Sequence, residues 1–286
     1  MGGRFLNPLS VIEVAIGRRI MWKIGRRLYL HARREGSLDF EVNGEAWLQR
    51  ALAERSAMNG IGLRVVDVGA NYGQWSRAFL STLRRTGAPA ADFTLFEPVP
   101  AIAETLETVP AEFPEHRIEV ERCAVSDELG TAKMVFTQLE AGNHHLQSAA
   151  GALAGDEIHV RVTTLDTYFG ATDRPIDIVK IDAEGFDPKV MAGMARLLAR
   201  QAVEIVQFEY SWQFIRSRAF LYDIFDLAKA HGYRLGLLTK MGVEIHPEWH
   251  PDLEKFNASA MVLLRPSTGD WLTQRSVSYR ADNTHD

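Results

Sequence analysis

The stretch Arg64-Val-Val-Asp67-Val-Gly69-Ala-Asn71-Tyr-Gly73-Gln-Trp-Ser76 decides the fold. Its first five residues read as a short buried strand. They run directly into the helical spacing of Trp75, Phe79 and Leu83, which Gly87 closes. Gly69 and Gly73 permit the sharp bend between the two and let a ligand approach the backbone. In an open parallel sheet such a turn lies at the carboxyl ends of the strands, where ligands settle. The dinucleotide fingerprint G-x-G-x-x-G holds a pyrophosphate on its amides, whereas the spacing here is D-x-G-x-x-x-G. Asp67 at the strand end would repel a phosphate and orient an ammonium group. A neutral nucleoside with a charged amino-acid tail therefore suits the loop, with Gly69, Ala70, Asn71, Gly73 and Gln74 as its contacts.

Outward from this turn the same rhythm repeats. Strands are predicted at Phe93–Phe96, Arg117–Val120, Ile176–Ile181, Val203–Phe208, Tyr233–Leu238 and Ala258–Leu264. Helices are marked by Val190, Met194 and Leu197 or Leu198, and by Ile224, Phe225 and Ala228 ahead of Gly232. This alternation is that of an α/β fold with a mostly parallel sheet and helices on both faces. Two stretches depart from it. Ala132–Phe136 and Glu157–Thr163 alternate in polarity with no helix between them, predicting an antiparallel hairpin inserted at about 131–163. The last two strands lack a crossover helix and so should pair antiparallel.

Two further strand ends fit the same ligand. Glu97, followed by Pro98, stands 30 residues after Asp67 and could take both ribose hydroxyls. The segment Arg122–Asp127, through Ala124 and Val125, could edge an adenine ring. A glycine turn alone is more often structural, and a lone strand-end acid is more often solvated. All three in order point to a nucleoside site.

These pieces carry a resemblance. Over roughly residues 43–265 the chain resembles the FkbM family of class I methyltransferases, through Asn43-Gly-Glu45, Val66–Gly73, Phe96-Glu-Pro98, Ala124–Asp127, Gly142-Asn143 and Val179-Lys-Ile-Asp-Ala-Glu-Gly185. The last is the most specific, and Phe186-Asp187 after it is a small departure. The resemblance implies a Rossmann-like seven-stranded sheet with an antiparallel last strand. It also implies S-adenosyl-L-methionine as methyl donor, and O-methylation of natural products or sugars.

Methyl transfer is an in-line displacement that depends on positioning, and an oxygen acceptor gains from a base. Asp182 and Glu184 lie beyond the fourth strand. Asp182 is assigned to the methionine side of the donor or to the acceptor hydroxyl, and Glu184 to the acceptor. The alternative for Glu184 is an acid that favours a helix N-terminus. Mg²⁺ held by Asp182, Glu184 and Glu209 is a variant that the spacing does not demand. His144 and His145, in the inserted loop, are further candidate bases, though a solvated loop histidine is the plainer reading. Tyr210 and Trp212 could flank a sugar, or simply pack at the rim, as could His246, Trp249 and His250.

Composition narrows the remainder. With 286 residues, 46% hydrophobic and 24% charged, the chain can bury a sizeable core. A single cysteine excludes an internal disulfide framework and fits a reducing cytoplasm. The apolar runs are too short to span a bilayer. Residues 1–35 hold eight basic side chains and two acids, a surplus of six. The remainder must then carry −11 of the net −5, which argues against nucleic acid as a partner. In that basic head Ile12, Ile16, Ile20, Ile24 and Leu28 recur every four residues. Such a ridge is expected to pack on the domain's own core or on a second subunit, making a homodimer. Contact with an anionic membrane, placing the protein peripherally there, is the alternative. The expected organisation is a helical extension over 1–60, a catalytic domain over 61–265 and a polar tail over 266–286. The acceptor is a small molecule or glycan. Competing readings are a nicotinamide-dependent oxidoreductase, which the missing fingerprint disfavours, and a non-catalytic partner-binding module.

Overall fold

The computed structural model describes residues 8–37, 39–136, 145–146, 156–170 and 174–284. It divides into two units, Met1–Ser37 and Leu38–Asp286. In the first, Gly17 at φ +78° separates helix α1 (Pro8–Ile16) from α2 (Arg18–Arg33). Helix α2 ends at Arg34, whose left-handed backbone turns its N–H onto the carbonyls of Leu30 and His31.

The second unit runs α3 (Glu45–Asn59), β1 (Arg64–Val68), α4 (Gln74–Thr86), β2 (Asp92–Phe96), α5 (Pro100–Leu106), α6 (Val109–Glu112) and β3 (Arg117–Glu121). There follow β4 (Ala124–Val125), β5 (Gly130–Phe136), β6 (His145–Leu146), β7 (Asp156–Thr163), α7 (Leu165–Phe169) and β8 (Ile176–Ile181). The chain continues with α8 (Asp187–Ala192), α9 (Ala195–Ala199), β9 (Val203–Tyr210), α10 (Phe214–Ser217) and α11 (Leu221–Ala230). It closes with β10 (Arg234–Thr239), β11 (Gly242–Ile245), β12 (Ser259–Leu264) and β13 (Gln274–Ser276). Because the division falls after Ser37, α3 belongs to the second unit.

Nine strands form the main sheet in the order β13-β11-β10-β12-β9-β8-β1-β2-β3. Strands β1, β2, β3, β8 and β9 pair in parallel, and β12 lies antiparallel between β9 and β10. Seven of the nine thus make the expected Rossmann-like sheet with its antiparallel last strand. Strands β11 and β13, beyond β10, are additional, with β13 at the edge. Strand β11 returns after a two-residue turn at Lys240-Met241, and β13 is the polar triplet Gln-Arg-Ser held by backbone pairing. Strand β13 carries no apolar alternation, and in β11 the alternation is only Val243-Glu-Ile245, too short to mark a strand in sequence. Residues 266–284, where the sequence shows no pattern, also bury Leu272 and Val277.

Alternation along the strands separates two apolar layers. Val65, Ile178, Ile205 and Val262 face Leu48 and Leu52 of α3 and Phe79, Leu80 and Leu83 of α4. Val66, Val179 and Val206 face Met191 of α8, Leu197 of α9 and Ile224 of α11. Each fully buried side chain of this size contributes about 2 kcal/mol. The helix predicted through Val190 and Leu197 is two helices. The carboxylate of Asp166 accepts the N–H groups of Arg196 and Leu197, at 2.9 Å each, and so starts α9 afresh.

The inserted hairpin is present: β5 pairs antiparallel with β7 from Gly130↔Val162 to Phe136↔Asp156. It is enlarged to a four-stranded sheet of order β4-β7-β5-β6.

Candidate active site

The loop after β1 is drawn against its neighbours by three backbone bonds. Gly69 and Ala70 donate to the Phe96 carbonyl at 3.0 Å each, and Asp182 N–H donates to the Val68 carbonyl at 2.9 Å. Gly69 sits at φ +76°, and a side chain there would run into the Asp182 carbonyl, so only glycine fits. Asn71 is left-handed at φ +50°, a conformation its side chain type tolerates. Its N–H donates to Glu97 Oε2 at 3.0 Å, while Val99 N–H donates to Glu97 Oε1 at 2.8 Å.

Beneath the loop, Asp67 accepts the Ser76 hydroxyl at 2.6 Å. Burial pushes its carboxyl up to about 6, against the opposing pull of Lys180 and Ser76. Lys180 is the register partner of Asp67 on β8 and of Gln207 on β9, so the three share one face of the sheet. Burial pulls the Lys180 ammonium down, but Asp182, Glu45 and Asp67 together outweigh that and hold it above the ordinary lysine value. Its Nζ donates to Asp182 Oδ2 at 3.2 Å. Over this row lies Glu45, at the start of α3. Its carboxylate accepts Asn43 Nδ2 at 2.6 Å and Gln207 Nε2 at 2.5 Å. The position of Glu45 is fixed by Gly44, at φ +97°, whose Cα packs on the Thr239 backbone.

These groups surround a cleft of about 370 Å³ at the carboxyl ends of β1, β8 and β9. Of the predicted site residues, Asp67, Gly69, Ala70, Asn71, Gln74, Asp182 and Glu209 line it together. Burial pushes the Glu209 carboxyl up to about 7, helped by Asp182 and opposed by Lys180. Glu97 is buried behind the loop, where burial pushes it up to about 7 while its two amide donors pull the other way. Pro98 is half-buried beside it. Gly73 caps α4 at φ +75°. Ala124 and Val125 turn their side chains into apolar clusters, which leaves backbone as the edge they could offer a ring.

Glu184 does not line the cleft. It is left-handed at φ +52° and accepts Gln213 Nε2. Burial and the neighbouring Asp182 push it up to about 8, with Gln213 opposing. Asp187, in the departure noted after the motif, is fully enclosed and accepts Gly185 N–H at 3.2 Å. Burial, then Asp182, push it up to about 8. His144, with Gly142 and Asn143, lies outside the described residues, and His145 opens β6. Tyr210 is buried, its hydroxyl donating to Glu254 at 3.0 Å, while Trp212 is exposed under the guanidinium of Arg216.

Glu45 and Lys180 are the charged residues of the cleft that the sequence reading assigned no role. Lys180 had a signal: a lysine in the inner part of the strand Ile176-Asp-Ile-Val-Lys-Ile181, flanked by Val179 and Ile181, needs buried partners. Among the described residues no group of three or more His, Cys, Asp and Glu side chains is placed to hold a metal ion. A second cavity, of about 580 Å³, lies at the β10–β11–β13 edge, lined by Phe225, Tyr233, Arg234, His246 and Arg275. It has none of the strand-end motifs.

Residues 67–235 match the methyltransferase FkbM domain. The chain belongs to the FkbM methyltransferase family. No curated protein matches it. Similar solved structures include a precorrin-6y C5,15-methyltransferase from Geobacter metallireducens, at 13% identity over 76% of this chain and 87% of that one, with a TM-score of 0.37. The plantazolicin methyltransferase BpumL in complex with SAH is 8% identical over 87% and 90% of the two chains, with a TM-score of 0.42. The bifunctional kinase-methyltransferase WbdD is 13% identical over 77% of this chain and 38% of that one, with a TM-score of 0.41. This chain therefore spans less than half of WbdD.

The family's methyl donor is S-adenosylmethionine, and the cleft fits it. Two buried polar atoms of the lining, Asn71 Oδ1 and Trp75 Nε1, have no hydrogen-bond partner among the described residues. The surrounding carboxylates outnumber the one lysine, which suits a ligand with ammonium and sulfonium charges. When bound, the donor supplies an electrophilic methyl group. Among the described residues no helix is long and apolar enough to cross a membrane.

Proposed function

We propose that the protein is an O-methyltransferase acting on a hydroxyl of a sugar, glycolipid or secondary metabolite. The observation that carries this reading is the pairing of Asp182 and Glu209 in the donor cleft, at the ends of adjacent strands β8 and β9. Asp67, Gly69, Ala70, Asn71 and Gln74 would hold the methionine end of the donor, and Glu97 with Pro98 its ribose. Ala124 and Val125 would edge its adenine. Asp182, already paired to Lys180, orients the ammonium or the acceptor.

Glu209 is the proposed base. Held near 7, its carboxyl can be ionised at neutral pH and still be basic enough to accept a hydroxyl proton. Glu184 holds the β8 loop onto Gln213 and so shapes the acceptor side without facing the cleft. The exposed indole of Trp212, three residues beyond Glu209, offers the apolar face on which a sugar ring packs.

The test is incubation of purified protein with isotopically labelled S-adenosylmethionine and a panel of sugar, glycolipid and polyketide alcohols, read by mass spectrometry. Transfer to an oxygen, lost in Glu209→Gln while donor binding is kept, is the expected result. Transfer to carbon or nitrogen, or undiminished activity of the variant, would overturn the reading.

A further inference from the structure

The helices of the first unit carry a pattern of charge and apolar side chains of their own. Successive residues of α2 step about 100° around the axis. Ile20, Met21, Ile24, Leu28 and Ala32 therefore share an arc of roughly 120°. Arg19, Lys23, Arg26 and Arg27 occupy the adjoining arc. Ile20, Ile24 and Leu28 are 53, 48 and 65% exposed, and all four basic side chains are exposed as well. Helix α1 adds exposed Leu9, Ile12 and Val14. Trp22 and Tyr29 stand exposed on the same helix, with the guanidiniums of Arg26 and Arg33 6.0 and 5.3 Å from their ring centres. Residues 8–37 hold two acids, Glu13 and Glu35, and Glu35 is bonded to Arg33 at 2.6 Å.

We propose that this unit seats the enzyme on an anionic lipid surface. The apolar arc would enter the boundary between headgroups and acyl chains, with the basic arc against the lipid phosphates. Charge selects this occupant. A second copy would bring an identical basic arc against this one, and like charges oppose such a pairing. An anionic surface neutralises the arc, and long basic side chains can lay their stems along the apolar boundary while their heads meet phosphate.

The experiment is co-sedimentation of the full chain with vesicles of phosphatidylcholine alone or mixed with phosphatidylglycerol. It is run for the wild type, for Arg19→Glu/Lys23→Glu/Arg27→Glu and for Ile20→Ser/Ile24→Ser/Leu28→Ser, with oligomeric state followed by light scattering. Calorimetric binding of S-adenosylhomocysteine, unchanged in both variants, verifies that the catalytic unit is folded. Expected is binding to the mixed vesicles only, weakened at least about tenfold by either triple variant and by about 0.5 M salt. Equal binding of all three proteins would overturn the proposal. So would an absence of vesicle binding, and if light scattering then showed a dimer that the serine variant dissolves, the face would belong to a second copy.

Discussion

Two loops meet at the centre of the sheet, one after β1 and one after β8, and they are built on opposite principles. The first, Asp67–Gly73, has its charge and three backbone amides answered: Asp67 by Ser76 and Lys180, the Asn71 N–H by Glu97, the Gly69 and Ala70 N–H groups by Phe96, with only the neutral Asn71 Oδ1 lacking a partner among the described residues. The second, Asp182–Asp187, gathers three carboxyls within six residues and answers them sparingly, with Lys180 on Asp182, Gln213 on Glu184 and one backbone amide on Asp187. Asp187 Oδ1 is buried with no partner among the described residues. The difference separates a preformed cradle from a reservoir of unbalanced negative charge, which a cationic ligand or a proton must complete.

The sharpest way to break this contrast is Gly69→Ala. Its methyl would collide with the Asp182 carbonyl in a left-handed backbone, so a loss of about 3 kcal/mol is expected, together with roughly 100-fold weaker binding of S-adenosylhomocysteine. Calorimetry at near-wild-type affinity would mean that the first loop has slack. Next, Glu209→Gln should lower kcat by roughly 100-fold with donor affinity within a factor of two, and should abolish the rise of kcat/KM near pH 7. Retention of that rise would place the base elsewhere.

A smaller effect concerns pH. Asp67, Glu97, Glu184, Asp187 and Glu209 all hold their protons more tightly than in the unfolded chain, with values from about 6 to about 8. Between the ordinary carboxylate range and those values the folded state binds more protons, so stability falls as pH rises through that window. Thermal melting of the ligand-free protein should drop by several degrees from about pH 5 to about pH 8. Asp187→Asn should remove part of that drop, and S-adenosylmethionine should offset it. A flat profile would show the second loop to be balanced after all. Smallest of all, Glu184→Gly should change stability by less than about 1 kcal/mol, because relief of the left-handed backbone is set against the lost bond to Gln213.

What could be read from the sequence followed the physics of each segment. Strands β1 and β8 stand within their predicted limits because a strand covered on both faces is mainly apolar, and the few charges in these two, such as Asp67 and Lys180, belong to the site. Strand β13 could not be seen because it is a polar edge triplet held by backbone bonds, and β11 because its alternation is only Val243-Glu-Ile245. The break between α8 and α9 was hidden for a related reason: it is made by Asp166, some 30 residues away in sequence. In the site, Asp67 and Asp182 were legible from their places at strand ends. The pairing of Glu45 with Gln207 was not, since those residues stand 162 apart and meet only when α3 crosses the sheet. Glu184 shares a motif with Asp182, yet its left-handed backbone turns it toward Gln213, a reversal that side-chain periodicity does not encode.

Gly44 joins two places that the motifs keep apart. Its Cα rests on the backbone of Thr239, at the end of β10, while the next residue reaches into the cleft to hold Gln207. The β10–β11 hairpin therefore works as a remote gauge for the reach of Glu45. An insertion at Lys240-Met241 would leave every signature residue in place and still alter how far that carboxylate extends into the cleft. Divergence at this sheet edge is thus a route by which enzymes with identical motifs could come to differ in donor affinity.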